Sequence, residues 1–372
     1  MSKENNQEAL FALLRSGLWG KEAQLSPFSS IDYASLMQLA EEQSVVGLVT
    51  AGLEQVKDSQ IPKEWTLQFI GSTLQIEQRN KEMNAFVADL ISRMRKAGIY
   101  TLLVKGQGIA QCYEKPSWRA CGDVDLFLSD DNYEKAKAFL IPLASSVKEE
   151  YEREKHLGMT IDGFVVELHG RLYSGLSSRV ERELDEVQKD TFYGGAVRSW
   201  NCEGVQVFLL KVENDVFYVF THILQHFYKE GVGLRQICDW CRLLWTYRDS
   251  LDLRVLESRI RKAGLMSEWK AFGAYAVAYL GIPSDAIPFY SVGNRWIRKA
   301  ERINKFVLIV GNMGHNRENR YRKYPFLVRK YFSAVRRIGD MFNHAMIFPL
   351  DSLLFSLAIM RNGVRSAMKG EG

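Results

Sequence analysis

Gly122-Asp123-Val124-Asp125-Leu126-Phe127-Leu128 alternates acidic and apolar residues across the opening of a short run of strand formers. On a strand, side chains point alternately to the two faces, so Asp123 and Asp125 share one face while Val124, Leu126 and Leu128 take the other. Two carboxylates side by side repel each other and resist burial unless a cation lies between them. Hard Mg²⁺ (or Mn²⁺), which prefers carboxylate oxygens, meets that need.

The flanking sequence supplies partners for this strand. Upstream, Tyr100 to Val104 is an apolar strand candidate ended by Lys105-Gly106, with a helix expected over Gly108 to Tyr113. Gly106 lets the backbone approach phosphate oxygens, a helix start offers free N–H groups, and Lys105 adds a point charge. Arg119, four residues before Asp123, is placed to pair with phosphate. Downstream, Asp131 to Leu140 reads as a helix, Phe164 to His169 as a strand, and Val205 to Leu209 as a fourth strand. In Phe164-Val-Val-Glu-Leu-His169, Glu167 and His169 share a face. A lone charge in so apolar a strand is costly if unpaired, and a neighbouring metal accounts for it.

Beyond this unit the periodicity is helical on both sides. Gln7 to Gly98 contains helices over Tyr33 to Glu42, with Asp32 as N-cap, and over Trp65 to Lys96, with Gly98 as the stop. After Lys211 helices are expected over Val212–Tyr228, Leu234–Tyr247, Leu253–Ala263, Trp269–Leu280 and Trp296–Val310. The expected architecture is α+β: an N-terminal helical region (1–98), a small mixed α/β core (99–210), and a C-terminal helical region with a basic tail (211–372).

Composition narrows the class. The 372 residues are 47% apolar and 25% charged, as in an ordered globular protein. The opening MSKENNQEAL has no secretory signal pattern, and no apolar run reaches the ~20 residues of a membrane span. Five scattered cysteines, an odd number, fit a reducing cytoplasm better than a disulfide framework. From Asn294 to Gly372 there are 16 Lys+Arg against 5 Asp+Glu. The aromatic-rich basic stretch Arg317 to Arg337 suits nucleic acid or, with Phe342 to Met360, an anionic membrane surface; a solvated helical cap is the simplest alternative. His222 and His226 share a helical face, with Cys238-Asp-Trp-Cys241 following. That spacing admits zinc, although a Cys-x-x-Cys inside a helix is more often buried packing.

Together these motifs resemble the polymerase-β-type nucleotidyltransferase superfamily. More narrowly, they resemble an uncharacterised bacterial nucleotidyltransferase family often encoded among polysaccharide-biosynthesis genes. The resemblance rests on Val104-Lys-Gly106, on Arg119-Ala-Cys-Gly-Asp-Val-Asp125, on Glu167-Leu-His169, and on His222-Ile-Leu-Gln-His226 followed by Asp239. The wider superfamily usually carries Gly-Ser in its first turn, where Lys105-Gly106-Gln107 stands here. The resemblance implies transfer of a nucleoside monophosphate from a nucleoside triphosphate to an acceptor hydroxyl. Asp123, Asp125 and Glu167 would be catalytic and hold Mg²⁺ (or Mn²⁺), with Glu167 either a ligand or a general base. Lys105, Gly106, Gln107 and Arg119 would bind nucleotide, and His169, His222, His226 and Asp239 would line the cleft. Two alternatives stay open: nucleotidyl modification of tRNA or protein, and a non-catalytic nucleotide-binding subunit.

Overall fold

The computed structural model describes residues 2–28, 30–312, 324 and 326–357. Four helices come first: α1 (Ser2–Trp19), α2 (Tyr33–Glu42), α3 (Val46–Leu53) and α4 (Lys63–Lys96). The mixed portion follows as β1 (Leu102–Val104), α5 (Gly106–Ala110), β2 (Asp123–Phe127), α6 (Asp130–Leu140), β3 (Ser146–Val147), β4 (His156–Ile161), β5 (Phe164–His169), α7 (Ser178–Phe192), β6 (Val197–Cys202) and β7 (Val205–Leu210). Helices α8 (Val212–Lys229), α9 (Leu234–Tyr247), α10 (Leu253–Ala263), α11 (Met266–Tyr275), α12 (Asn294–Val310) and α13 (Phe326–Ala345) complete the named elements. Residues 349–357 are also helical.

Local chemistry sets many of these boundaries. The Asp32 carboxylate accepts from the Ala34 and Ser35 amides at the start of α2. Asp252 does the same for Arg254 and Val255 in α10, which ends on left-handed Gly264. Helix α5 departs from expectation: it begins at Gly106 and lasts only five residues. Three strands, β3, β4 and β6, were not expected. The β6 sequence Val-Arg-Ser-Trp-Asn-Cys sets three polar residues among three others, as befits a sheet edge, and in β4 Gly158 stands between His156 and Thr160 on one face, so neither reads as an apolar run.

The seven strands form one mixed sheet in the order β3-β4-β5-β2-β1-β7-β6. Strand β2 is central, antiparallel to β1 and parallel to β5, with Asp125 opposite Glu167. Both hairpins, β4–β5 and β6–β7, turn on a residue–glycine pair at positive φ: Asp162-Gly163 and Glu203-Gly204. Such pairs match the twist of the flanking strands.

The two sheet faces feed different cores. Val124, Leu126 and Leu128 pack with Met83, Val87 and Ile91 of α4 and with Tyr133 of α6. On the opposite face Leu102, Val104, Phe127 and Leu210 enter a larger core. That core joins Leu10 and Leu14 of α1, Phe217 and Phe220 of α8, Trp269 of α11 and Ile303 of α12. It therefore runs across both flanking stretches of chain. The α1–α3 crossing within it is very close: a Cβ on Gly17 would lie 2.0 Å from the Leu48 carbonyl oxygen, and one on Gly52 2.2 Å from that of Leu13. Only glycine permits that approach.

Among the described residues, no helix is long and apolar enough to cross a membrane. The basic stretch singled out above falls largely outside the description: Arg317, Arg320, Tyr321, Arg322 and Lys323 are not among the described residues, nor are the side chains of Arg329, Lys330, Tyr331, Arg336 and Arg337.

Candidate active site

Because β2 and β5 run parallel in register, Asp123, Asp125, Glu167 and His169 all project from the face that α8 and α9 cover. They form the floor of a cavity of about 260 Å³. Tyr218, His222 and His226 of α8 and Arg235 and Asp239 of α9 supply the opposite wall. Four of the chain's six histidines line this one space.

One ligand oxygen each from Asp123, Asp125 and Glu167 lie within 4.8 Å of one another. The strand glutamate thus stands beside the aspartate pair although more than forty residues separate them in sequence. Asp125 is almost completely buried. Its Oδ1 accepts from Lys105 Nζ at 2.9 Å and lies 2.7 Å from His169 Nε2. Burial alone would raise its pKa, but Lys105 and His169 outweigh that and hold it well below the usual carboxylate range. Asp123 is pushed up instead, first by the charge on Asp125 and then by burial. A neighbouring like charge has this effect, which Lys105 and Arg235 offset only in part.

Glu167 is also held low despite burial, chiefly through His156 Nε2 at 3.1 Å from its Oε2. A carboxylate kept ionised is a good ligand and a weak proton acceptor at neutral pH.

Lys105 is aimed by a strained turn. Its φ of 57° is unusual for a residue with a Cβ, and Gly106 follows at 39°. The ammonium pairs with Asp125 at 2.9 Å while bordering the cavity. Asp125 overcomes the burial cost and raises the lysine pKa, so the group stays charged. Helix α5 is too short for a sizeable dipole, which weakens the helix-start reading of phosphate binding.

Two expected nucleotide contacts are occupied elsewhere. Gln107 is buried and absent from the cavity lining; its Nε2 lies 3.2 Å from Asn80 Oδ1, and its Oε1 accepts from Cys121 Sγ. Arg119 borders the cavity but forms a buried two-point pair with Asp239, at 2.8 and 2.6 Å. Tyr113 donates to the same carboxylate at 2.7 Å. Asp239 is therefore the anchor of Arg119. Cys238 and Cys241 are fully buried in the large core and absent from the cavity that His222 and His226 line, so the two pairs do not converge on zinc.

Sequence reasoning missed His156, Tyr218 and Arg235. A signal for the first was available: Asp162-Gly163 marks a two-residue hairpin, and folding the chain there puts His156 opposite His169. Tyr218 stands one helical turn before His222, and Arg235 one turn before Asp239, on faces already marked as polar. Arg235 donates to the Ala120 carbonyl at 2.8 Å, while its Nε is buried without a hydrogen-bond partner.

His222 and His226 lie Nε2 to Nε2 at 3.1 Å. Burial, then the charge on Lys105, lowers both, His226 from 6.5 to about 4 and His222 well below its ordinary value. Native His226 stays neutral while the unfolded chain takes up a proton near pH 6.5, so stability falls as pH drops from there toward 4. Unfolding free energies from urea melts of wild type and His226→Gln should diverge across this range by on the order of 2–3 kcal/mol, with the variant showing the flatter profile. Parallel profiles would contradict the buried neutral histidine.

A carboxylate trio on a mixed sheet, facing a cavity edged by basic side chains, has the layout of a nucleotidyl-transfer protein. The chain belongs to the family described as uncharacterised nucleotidyltransferase, whose model matches residues 29–281. The crystal structure of an antigenic nucleotidyltransferase-like protein from Paracoccidioides brasiliensis is similar over 50% of this chain and 91% of that one. The identity is 15% and the TM-score 0.31. No curated protein matches the chain.

Proposed function

We propose that the cavity carries Mg²⁺-dependent (or Mn²⁺-dependent) transfer of a nucleoside monophosphate from a nucleoside triphosphate to an acceptor hydroxyl, with release of pyrophosphate. The observation that carries this reading is the convergence of Asp123, Asp125 and Glu167 within 4.8 Å on two rigid strands. Their fit to a divalent ion follows from the raised Asp123: the metal-free site holds more negative charge than its surroundings neutralise. When bound, such an ion supplies electrostatic stabilisation to the triphosphate as charge develops.

The side chains divide the remaining work. Asp123, Asp125 and Glu167 hold the ion. Lys105 and His169 keep Asp125 ionised and directed across the sheet face. Arg235, with its unpartnered Nε, is the guanidinium suited to phosphate oxygens, in place of Arg119. Tyr218 and His222 wall the site and exclude water from the reacting groups. A small-molecule or glycan-related hydroxyl, in keeping with the expected link to polysaccharide-biosynthesis genes, is the first acceptor to test.

Melting temperatures with each of the four ribonucleoside triphosphates, with and without Mg²⁺, test the reading. At least one nucleotide should stabilise the protein only with Mg²⁺, by about 2.7 kcal/mol at a hundredfold excess over Kd. If none of the four does so, the proposal fails.

A further inference from the structure

The acidic trio leaves His156 without a role in the transfer, and its surroundings suggest one. His156 and His169 face each other across β4 and β5, directly paired in register, and their rings stack at 4.8 Å between centroids. Both present Nε2 to the same oxygen of Glu167, at 3.1 Å for His156 and 3.8 Å for His169. One ligand atom from each of the three lies within 4.8 Å of the others. All three sit on paired strands, so the backbone fixes their separation, and all three open onto the cavity.

We propose that His156, Glu167 and His169 form a second cation site, for a borderline transition ion such as Mn²⁺, Co²⁺ or Zn²⁺. Two imidazoles and a carboxylate are a donor set that Mg²⁺ avoids and these ions prefer. The site deepens the functional reading above and rests on it only through Glu167, which the two donor sets share. The cavity then holds unlike cation positions side by side: an all-oxygen one at Asp123 and Asp125, and a nitrogen-bearing one at the hairpin. His169 Nε2 also lies 2.7 Å from Asp125 Oδ1, so filling the second position replaces that contact and links occupancy of the two.

The test uses untagged, chelator-treated full-length protein titrated with Co²⁺, followed by visible absorption and calorimetry. Wild type should bind Co²⁺ saturably, with ligand-field bands that excess Mg²⁺ does not remove. His156→Ala and His169→Ala should each weaken binding by more than about tenfold, and Asp123→Asn should leave the bands in place. His156→Gln, which retains a polar side chain but not the imidazole ligand, guards against loss through misfolding; its melting temperature without metal is measured in parallel. Unchanged Co²⁺ affinity in both histidine variants, or displacement of Co²⁺ by equal Mg²⁺, overturns the proposal. If Co²⁺ binding behaves as expected while no nucleotide stabilises the protein with Mg²⁺, the functional reading fails and this site stands. The reverse pattern sinks this site alone.

Discussion

Replacing Asp125 by Asn is expected to lower Mg²⁺-dependent nucleotide turnover about a thousandfold or more and to destabilise the metal-free protein. The rate effect follows because a divalent ion contributes several kcal/mol of charge stabilisation and each ~1.4 kcal/mol is a factor of ten. The stability effect follows from Lys105. Its largely buried ammonium would lose the carboxylate that keeps it charged, and breaking a buried pair from one side costs about 3–5 kcal/mol. Asp123→Asn should have the same consequence for turnover and the opposite one for stability. Asp123 is raised by repulsion from Asp125, so its ionisation weakens the metal-free fold as pH rises through the raised value. Asn removes that penalty. Melting curves in chelator at neutral pH should therefore place Asp123→Asn above wild type and Asp125→Asn below it. Equal shifts in one direction would show that the aspartates are not electrostatically distinct.

The second large effect belongs to Arg119 and Asp239. Asp239→Ala leaves a buried guanidinium, and also the Tyr113 hydroxyl, without their shared partner. A loss of about 3–5 kcal/mol should follow. Replacing both ends, as Arg119→Met with Asp239→Leu, should recover much of it, because well-packed apolar substitutes can match a buried ion pair. Arg119→Lys separates this role from phosphate binding. A phosphate ligand would raise KM for nucleotide with little change in melting temperature. The observed pairing predicts the reverse, since Lys cannot reproduce the two-point contact. Urea melts and steady-state kinetics on one preparation decide between them.

What was legible in the sequence tracks what is local. The period-two pattern of Gly122 to Leu128 assigned Asp123 and Asp125 to one face, and β2 bears that arrangement. Helices α9 and α10 have the bounds that apolar spacing indicated, Leu234–Tyr247 and Leu253–Ala263. Of the pairings between distant segments, that of Glu167 with the aspartates was expected from its lone charge in an apolar strand; the others were not legible, because residue type alone carries no distance. Arg119 reads as a free cation until Asp239, 120 residues away, is seen against it. His156 escapes notice because Gly158 leaves its face of β4 without an adjoining side chain, although the Asp162-Gly163 turn fixes its partner. Lys105 reads as a phosphate ligand because a strand–glycine turn suggests one; only the backbone angle at 105 shows where its ammonium goes.

The core shared by the two ends of the chain has an implication for how such a protein can be shortened or recombined. The acidic strand lies about a third of the way along the sequence, yet the wall facing it comes from α8 and α9, which are braced by α1 as well as by later helices. A fragment cut at 99 and 210 would carry every carboxylate and leave them open to bulk water, where a bound cation is worth far less. The carboxylate site is thus no portable cassette. Its minimal heritable length includes helices that contribute only to the core bracing its wall.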